Sequence, residues 1–407
     1  MVSVTAEASI HSKMAASWLT DLLPSDLLPL ILQHLRLREV VRASRICKAF
    51  QQPVGEAIGG FWMPARVVAV PRSEGAEQLV NFVAALPDGD LLVSDSKGGG
   101  VRKLSLSPGR DASVVRHTWD SAALGIGHDI HPSGLAVVGD RFFVACTSTL
   151  TAYEVSLGGD SPARDLLRTN GRRHPGRASR LRFPLGCACS AETGRVYLVD
   201  SDDHRVVALD TSAAEPSSST SPHGAEEDIS SRAQSFGRGR LKDPYGVAVH
   251  AGRLYVSDSG NDRLCIFSEA ASACGDAGAF LGCVRWADGG TVQFADPSGV
   301  AFTSGGRLLV AETAGALRIF ALERDGLTVD HEMQRLLLAP RRALGGVCID
   351  EAASPPRVVV TDTTQGVLHV LEPAALSNAG GGGTGLDAAA DAPLRTIHHA
   401  RKASKRC

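Results

Sequence analysis

Apolar residues change their spacing once along the chain. Over residues 15–62 they recur at helical intervals. In "WLTDLLPSDLLPLILQHLRLREVVRASRICKAF" Leu27, Ile31 and Leu35 form one stripe at i, i+4, with Leu28 and Leu32 beside it. Ser25 reads as an N-cap, and Asp26 follows where an acid suits the helix dipole. Pro29 falls about one turn in, where it removes at most one backbone hydrogen bond. A second helix is expected from near Arg38, burying Val40 and Val41, and a further turn carries Ile46, Cys47 and Phe50. So short a segment is marginal as an independent domain, and its stripes leave apolar surface after the helices pack together. That surface either receives a partner or docks on the rest of the chain.

From about residue 63 the apolar residues fall in short strand-like runs separated by Gly, Pro and Asp turns. The runs repeat. Aligned on the opening of the first strand, the units start at Val83, Gly134, Gly186, Gly246, Gly299 and Gly346, at intervals of 51, 52, 60, 53 and 47 residues. The second strands read "DLLVSDS", "RFFVACT", "RVYLVDS", "RLYVSDS", "RLLVAET" and "RVVVTDT". A third strand follows each, and an outer one precedes the next unit, as in "SVVRHTW", "FLGCVRW" and "MQRLLLA". Six units of four strands predict an all-β six-bladed propeller after a small all-α domain. The blades fall near 81–118, 132–170, 184–236, 244–286, 297–339 and 344–372, within a domain of residues 63–375. "ARVVAV" (65–70) is expected to close the last blade, with "LRTIHH" (394–399) as the competing segment. Residues 1–14 are expected to be disordered, and "AGGGGTGL" (379–386) marks residues 376–407 as a flexible linker with a basic tail. The Ser-rich stretch 211–235 reads as a long inter-strand loop.

Composition narrows the chemistry. The formal net charge of −2 creates no global field that would recruit nucleic acid or an anionic membrane. Nine cysteines at irregular spacing, without a C-x-x-C pair, indicate neither a disulfide framework nor a zinc ribbon. The first residues lack the basic start and apolar core of a signal peptide, and no apolar run approaches a membrane span. A cytoplasmic or nuclear location is expected.

Every second strand but one ends in an acid: Asp95, Asp200, Asp258, Glu312 and Asp362, with Cys146 interrupting the series. Catalytic carboxylates work as one pair in contrasting environments and do not recur once per blade. The expected role is structural, accepting N–H groups of the turn that follows. The first strands open on "PSG", "PLG", "PYG", "PSG" and "LGG", which offer a hard cation no convergent carboxylates; Asp243 and Asp296 alone are too few. His128, Asp129 and His131 lack a distant further ligand for zinc. No catalytic residue, metal or cofactor is therefore expected. Positive charge gathers at Arg238, Arg240 and Lys242 and along "RTNGRRHPGRASRLR" (168–182). RNA phosphate could be met there, although aromatics for base stacking are scarce.

The helical segment resembles an F-box. The resemblance rests on Leu23-Pro24 at the start, Ile31 and Leu35 on the first helix, Val40 on the second, Cys47 followed by a basic residue, and a closing Trp62. Phe50 stands where the family commonly has Trp, and Pro29 where it has a helix former; neither removes an apolar anchor. The resemblance implies that Leu23, Pro24, Leu27, Ile31, Leu35, Val40 and Cys47 bind the Skp adaptor, which tethers such chains to a cullin–RING ubiquitin ligase. The strand units over residues 80–372 are similar to NHL repeats, most closely in "FGRGRLKDPYGVAVHAGRLYVSDSGNDRLCIFS". Asp203-His204-Arg205-Val206 and Asn261-Asp262-Arg263-Leu264 occupy the turn that names that family. Its members are six-bladed propellers that bind proteins, peptides or RNA. Together the two resemblances imply the substrate receptor of an SCF-type ligase, monomeric within the complex, its propeller holding a protein target. The alternatives are an RNA- or protein-binding propeller without a ligase role, and a propeller hydrolase of the lactonase type.

Overall fold

The computed structural model describes residues 62–71, 78–107, 111–158, 162–169, 172–173, 181–211, 233–269, 278–339 and 343–373. The helices expected before Trp62, the Ser-rich stretch up to residue 232 and the tail lie outside the described residues. Residues 63–372 form one compact unit. Apart from one 3-10 turn at Ser259–Asn261, its described elements are strands.

Apart from the two-stranded pair Arg168–Thr169 and Arg172–Arg173, the strands assemble into six sheets, the first five each built from a consecutive stretch of chain. The first contains Val80–Ala85, Leu91–Asp95, Gly100–Leu106 and Ser113–Asp120. The second contains Pro132–Val138, Arg141–Cys146, Thr151–Ser156 and Arg164–Asp165. Pro184–Cys189, Arg195–Asp200, Arg205–Asp210 and Ala233–Phe236 form the third, and Pro244–His250, Arg253–Asp258, Arg263–Ser268 and Phe280–Cys283 the fourth. The fifth holds Pro297–Phe302, Leu308–Glu312, Ala316–Leu322 and Thr328–Leu337. The sixth holds Leu344–Asp350, Arg357–Asp362 and Val367–Pro373, and its outer position is filled by Trp62–Ala69. First strands touch first strands from sheet to sheet, and the sixth returns to the first. The ring is a closed six-bladed propeller, and the first strand of each blade presents a short, protected edge to its centre.

The core lies between the blades. Second and third strands are sandwiched by the neighbouring sheets, so they read as almost continuous apolar runs instead of alternating ones. Phe143 and Ala136 of the second blade pack with Leu198 and Val207 of the third. Tyr197 and Val206 on the other side of the third blade pack with Val256 and Phe267 of the fourth. Val80 and Leu91 meet Val359 and Val370 across the closing joint.

All six first strands bulge at the same place, the register slipping at 80–83, 132–135, 184–187, 244–247, 297–300 and 344–347. The bulge aligns the repeats differently from the sequence reading: Phe82, not Val83, stands opposite Gly134, Gly186, Gly246, Gly299 and Gly346. At those glycines the backbone of one blade rests on the next. A Cβ would come under 3.0 Å from Leu185 O at Gly134, Tyr245 O at Gly186 and Ser298 O at Gly246. A second correction concerns "FLGCVRW". Phe280–Cys283 pairs with the fourth blade, whereas Arg285–Trp286 runs parallel to the start of Thr328–Leu337 in the fifth. The chain crosses between blades at Val284, and Trp286 packs edge-on against Phe320 of the fifth blade, ring centroids 6.3 Å apart.

Gly246→Ala is expected to lose about 2 kcal/mol of stability by forcing two inner strands apart. Gly127→Ala, in a loop with nothing within 4 Å of the added methyl, should stay within about 0.5 kcal/mol. Urea denaturation of the two variants provides the comparison.

Candidate functional site

The five acids end their strands fully buried, at 0–1% exposure, where a carboxylate needs both donors and a countercharge. At Asp258, Oδ1 accepts the Lys242 N–H at 2.6 Å from the segment entering the first strand. Asn261 Nδ2 donates at 2.9 Å from the turn, and Arg263 Nε at 2.7 Å from the third strand. Asp200 accepts the N–H groups of Arg182 and Phe183 at 2.8 and 3.0 Å and pairs with Arg205 at 2.9 Å. Asp95 accepts Leu79 and Gly98 N–H at 3.0 and 2.8 Å, with Arg102 at 3.2 Å. Glu312 accepts the Ala295 N–H at 3.1 Å and has Arg318 at 3.3 Å and Arg335 at 3.4 Å; burial pushes its carboxyl up despite both cations. Asp362 accepts Thr364 and Gln365 N–H at 3.0 Å each, with His369 at 3.9 Å.

The following turn thus supplies both backbone donors only to Asp362. Elsewhere the carboxyl ties the entering segment to the third strand, and it is the cation that the sequence reading left out. The signal was present as a basic residue five to seven positions after each acid. In the third and fourth blades that Arg stands directly opposite its Asp across the strand pair. In the second blade Cys146 takes the acid's place, and Ser148 Oγ accepts the His131 N–H at 3.0 Å instead. Each carboxylate is consumed by its own blade. None is left as one of a catalytic pair.

The basic residues before the fourth blade turn to different partners. Arg238 pairs with Asp203 at 2.8 Å, and Arg205 approaches the same carboxylate at 3.3 Å. Arg240 lays its guanidinium over Phe280, 4.4 Å from the ring centre. Lys242 is exposed and contributes its backbone N–H to Asp258. Of residues 168–182, only 168–169, 172–173 and 181–182 are described.

The centre of the ring holds two aromatic rings. Phe82 and Tyr245 stack with centroids 5.5 Å apart and planes 18° apart. One belongs to the first blade and the other to the fourth, three places apart on a ring of six. The stack therefore spans the central channel. Burial pushes the Tyr245 phenol up to about 12. Phe82 stands where the other blades carry glycine, and that departure is its only trace in the sequence. A small-molecule site in a propeller channel needs concave space with convergent polar groups. Here two flat hydrocarbon surfaces meet. Among the described residues, no group of three or more His, Cys, Asp or Glu side chains is placed to hold a metal ion.

Residues 21–52 match the F-box domain family. The chain carries an F-box and a six-bladed propeller. No curated protein matches the sequence. Solved structures match the fold. A candidate gluconolactonase superposes with a TM-score of 0.50 at 14% identity, over 76% of this chain and 98% of that one. The virginiamycin B lyase of Staphylococcus aureus gives 0.47 at 10% identity, over 75% and 98%. A streptogramin B lyase gives 0.46 at 10%, over 72% and 78%. At these identities the likeness is one of architecture. Of the anchors read from sequence, Leu23, Pro24, Leu27, Ile31, Leu35, Val40 and Cys47 fall within the F-box match and outside the described residues.

Replacing Asp200 by Ala leaves Arg205 buried beside one remaining acid and is expected to cost about 3 kcal/mol. The double change Asp200→Leu, Arg205→Leu should cost less in the same urea titration. A double-mutant cycle of Phe82→Ala and Tyr245→Ala should return a coupling of about 1 kcal/mol, the signature of direct ring contact across the channel.

Proposed function

We propose that this chain is the substrate-recognition subunit of an SCF-type cullin–RING ubiquitin ligase. The F-box would dock the Skp adaptor through Leu23, Pro24, Leu27, Ile31, Leu35, Val40 and Cys47, and the propeller would hold a target protein. The observation that carries the reading is the F-box match in one chain with a propeller whose channel is crossed by an aromatic stack. Such a propeller presents its loops and blade surfaces to a partner in place of an internal pocket. Its contribution to catalysis would be proximity: a tethered target meets the activated ubiquitin at a high effective concentration. The NHL reading of the blades is supported at Arg205 and Arg263, where the basic residue of each repeat turn neutralises the buried Asp opposite. RNA contact by Arg238 and Arg240 is less well supported, because one is ion-paired and the other stacked. A cytoplasmic or nuclear site of action accompanies the proposal.

Pull-down of the tagged full-length chain with the purified Skp adaptor tests it. The wild-type chain is expected to retain the adaptor, and Leu27→Asp combined with Ile31→Asp should lower retention at least tenfold. Undiminished capture by the charged double variant would overturn the assignment of this face.

A further inference from the structure

Two thiols face each other at the outer edge of the fourth blade. Cys265 on the third strand and Cys283 on the outer strand are partners in register, with Sγ atoms 3.6 Å apart. The Val284 N–H donates to Leu264 O at 3.0 Å, so residues 264 and 284 form the hydrogen-bonded pair. Cys265 and Cys283 then form the non-hydrogen-bonded one. Side chains stand closer at such a pair, and its Cα separation of about 4.5 Å lies within the range a disulfide accepts.

The two sulfurs differ in surroundings. Cys265 is fully buried, 3.4 Å from Asp258 Oδ2. The hydrogen bond to Cys283 and burial push its thiol up, so it keeps its proton. Cys283 is half-buried. The hydrogen bond from Cys265, with Arg263 and Arg240 nearby, outweighs its own burial and pulls its thiol down to about 7. The remaining shifted cysteines go the other way: burial pushes Cys187, Cys189 and Cys348 up. Reactivity toward peroxide follows thiolate character and access, and an adjacent second thiol resolves the product.

We propose that Cys283 and Cys265 form a peroxide-sensitive dithiol, a reversible modification site on the propeller. The Cys283 thiolate attacks one oxygen of a hydroperoxide and the O–O bond breaks. The departing oxygen takes up a proton and leaves as water or an alcohol. Cys283 is now a sulfenic acid, two electrons poorer. Cys265 Sγ attacks that sulfur, the S–O bond breaks, and the hydroxide departs with the Cys265 proton as water. The peroxide is reduced, the two sulfurs are joined, and a thiol reductant reverses the change by exchange. The bond pins the outer strand of the fourth blade to its neighbour and removes the negative charge between Arg240 and Arg263.

The test uses the reduced full-length protein at pH 7. Trypsin leaves residues 264–285 as one peptide containing Cys265, Cys274 and Cys283, so further cleavage after Glu269 and before Asp276 is needed to separate the three. Iodoacetamide should label Cys283 about tenfold faster than Cys189 or Cys348. Hydrogen peroxide should yield a Cys265–Cys283 linked peptide lighter by two hydrogens and restored by dithiothreitol. In Cys265→Ser the oxidation should stop at Cys283 as a sulfenic acid captured by dimedone; in Cys283→Ser no product should form at either position. The proposal is overturned if peroxide leaves both thiols free in the folded wild-type protein, or if the linkage runs to Cys274. Circular dichroism verifies the fold of each variant, and the wild-type peptide map decides the question even where a variant fails to fold.

Discussion

Six inner strands must meet around a common axis, and the contact between their backbones sets the terms for the rest of the propeller. Where one blade leans on the next, a side chain has nowhere to go, so five of the six positions are glycine and the bulge is repeated in every blade. The sixth position carries Phe82, and its ring goes inward to meet Tyr245 from the far side. One departure from the repeat thereby places an aromatic stack across the channel. The same close approach brings neighbouring blades near enough for their faces to share cores, which is why the second and third strands are apolar on both sides.

Burying both faces of a blade leaves its turns to be organised by polar groups that cannot reach water. Asp95, Asp200, Asp258 and Glu312 meet that need with backbone N–H groups of the entering segment and an arginine of the third strand, and Asp362 with N–H groups of its own turn. An isolated buried carboxylate would be driven toward protonation or would unfold the turn, and its basic partner and backbone donors offset that cost. The blades reach this balance in different ways. Arg stands directly opposite Asp in the third and fourth, two residues further on in the first, and two arginines flank the longer Glu312 in the fifth. The second blade omits the charge altogether and lets Ser148 accept the orphan N–H.

This architecture is shared with a candidate gluconolactonase, but a propeller fold carries no activity of its own. Function resides in what each chain places at the channel and on its faces. Here the acids serve the fold, the channel centre is aromatic, and the F-box supplies a separate attachment point. The Cys265–Cys283 pair lies apart from the channel, at the rim of the blade whose entering segment carries Arg238, Arg240 and Lys242.

The sequence by itself determined the number of blades, the second and third strands and the recurrent acids. Those features are local or periodic: alternation, turn residues and repeat spacing are all written within some fifty residues. The F-box was legible for the same reason, as an ordered string of apolar anchors at helical spacing within a short stretch of sequence. Tertiary structure alone decided which strand of "FLGCVRW" belonged to which blade, because the divide at Val284 depends on open hydrogen-bonding positions along a strand some forty residues later. It alone revealed that Asp95, Asp200, Asp258 and Glu312 each pair with an arginine on the third strand. It alone joined Phe82 to Tyr245, 163 positions apart in the chain, because only closure of the ring brings the first blade opposite the fourth. Contacts across a closed circle leave no local pattern, and the fold is what writes them.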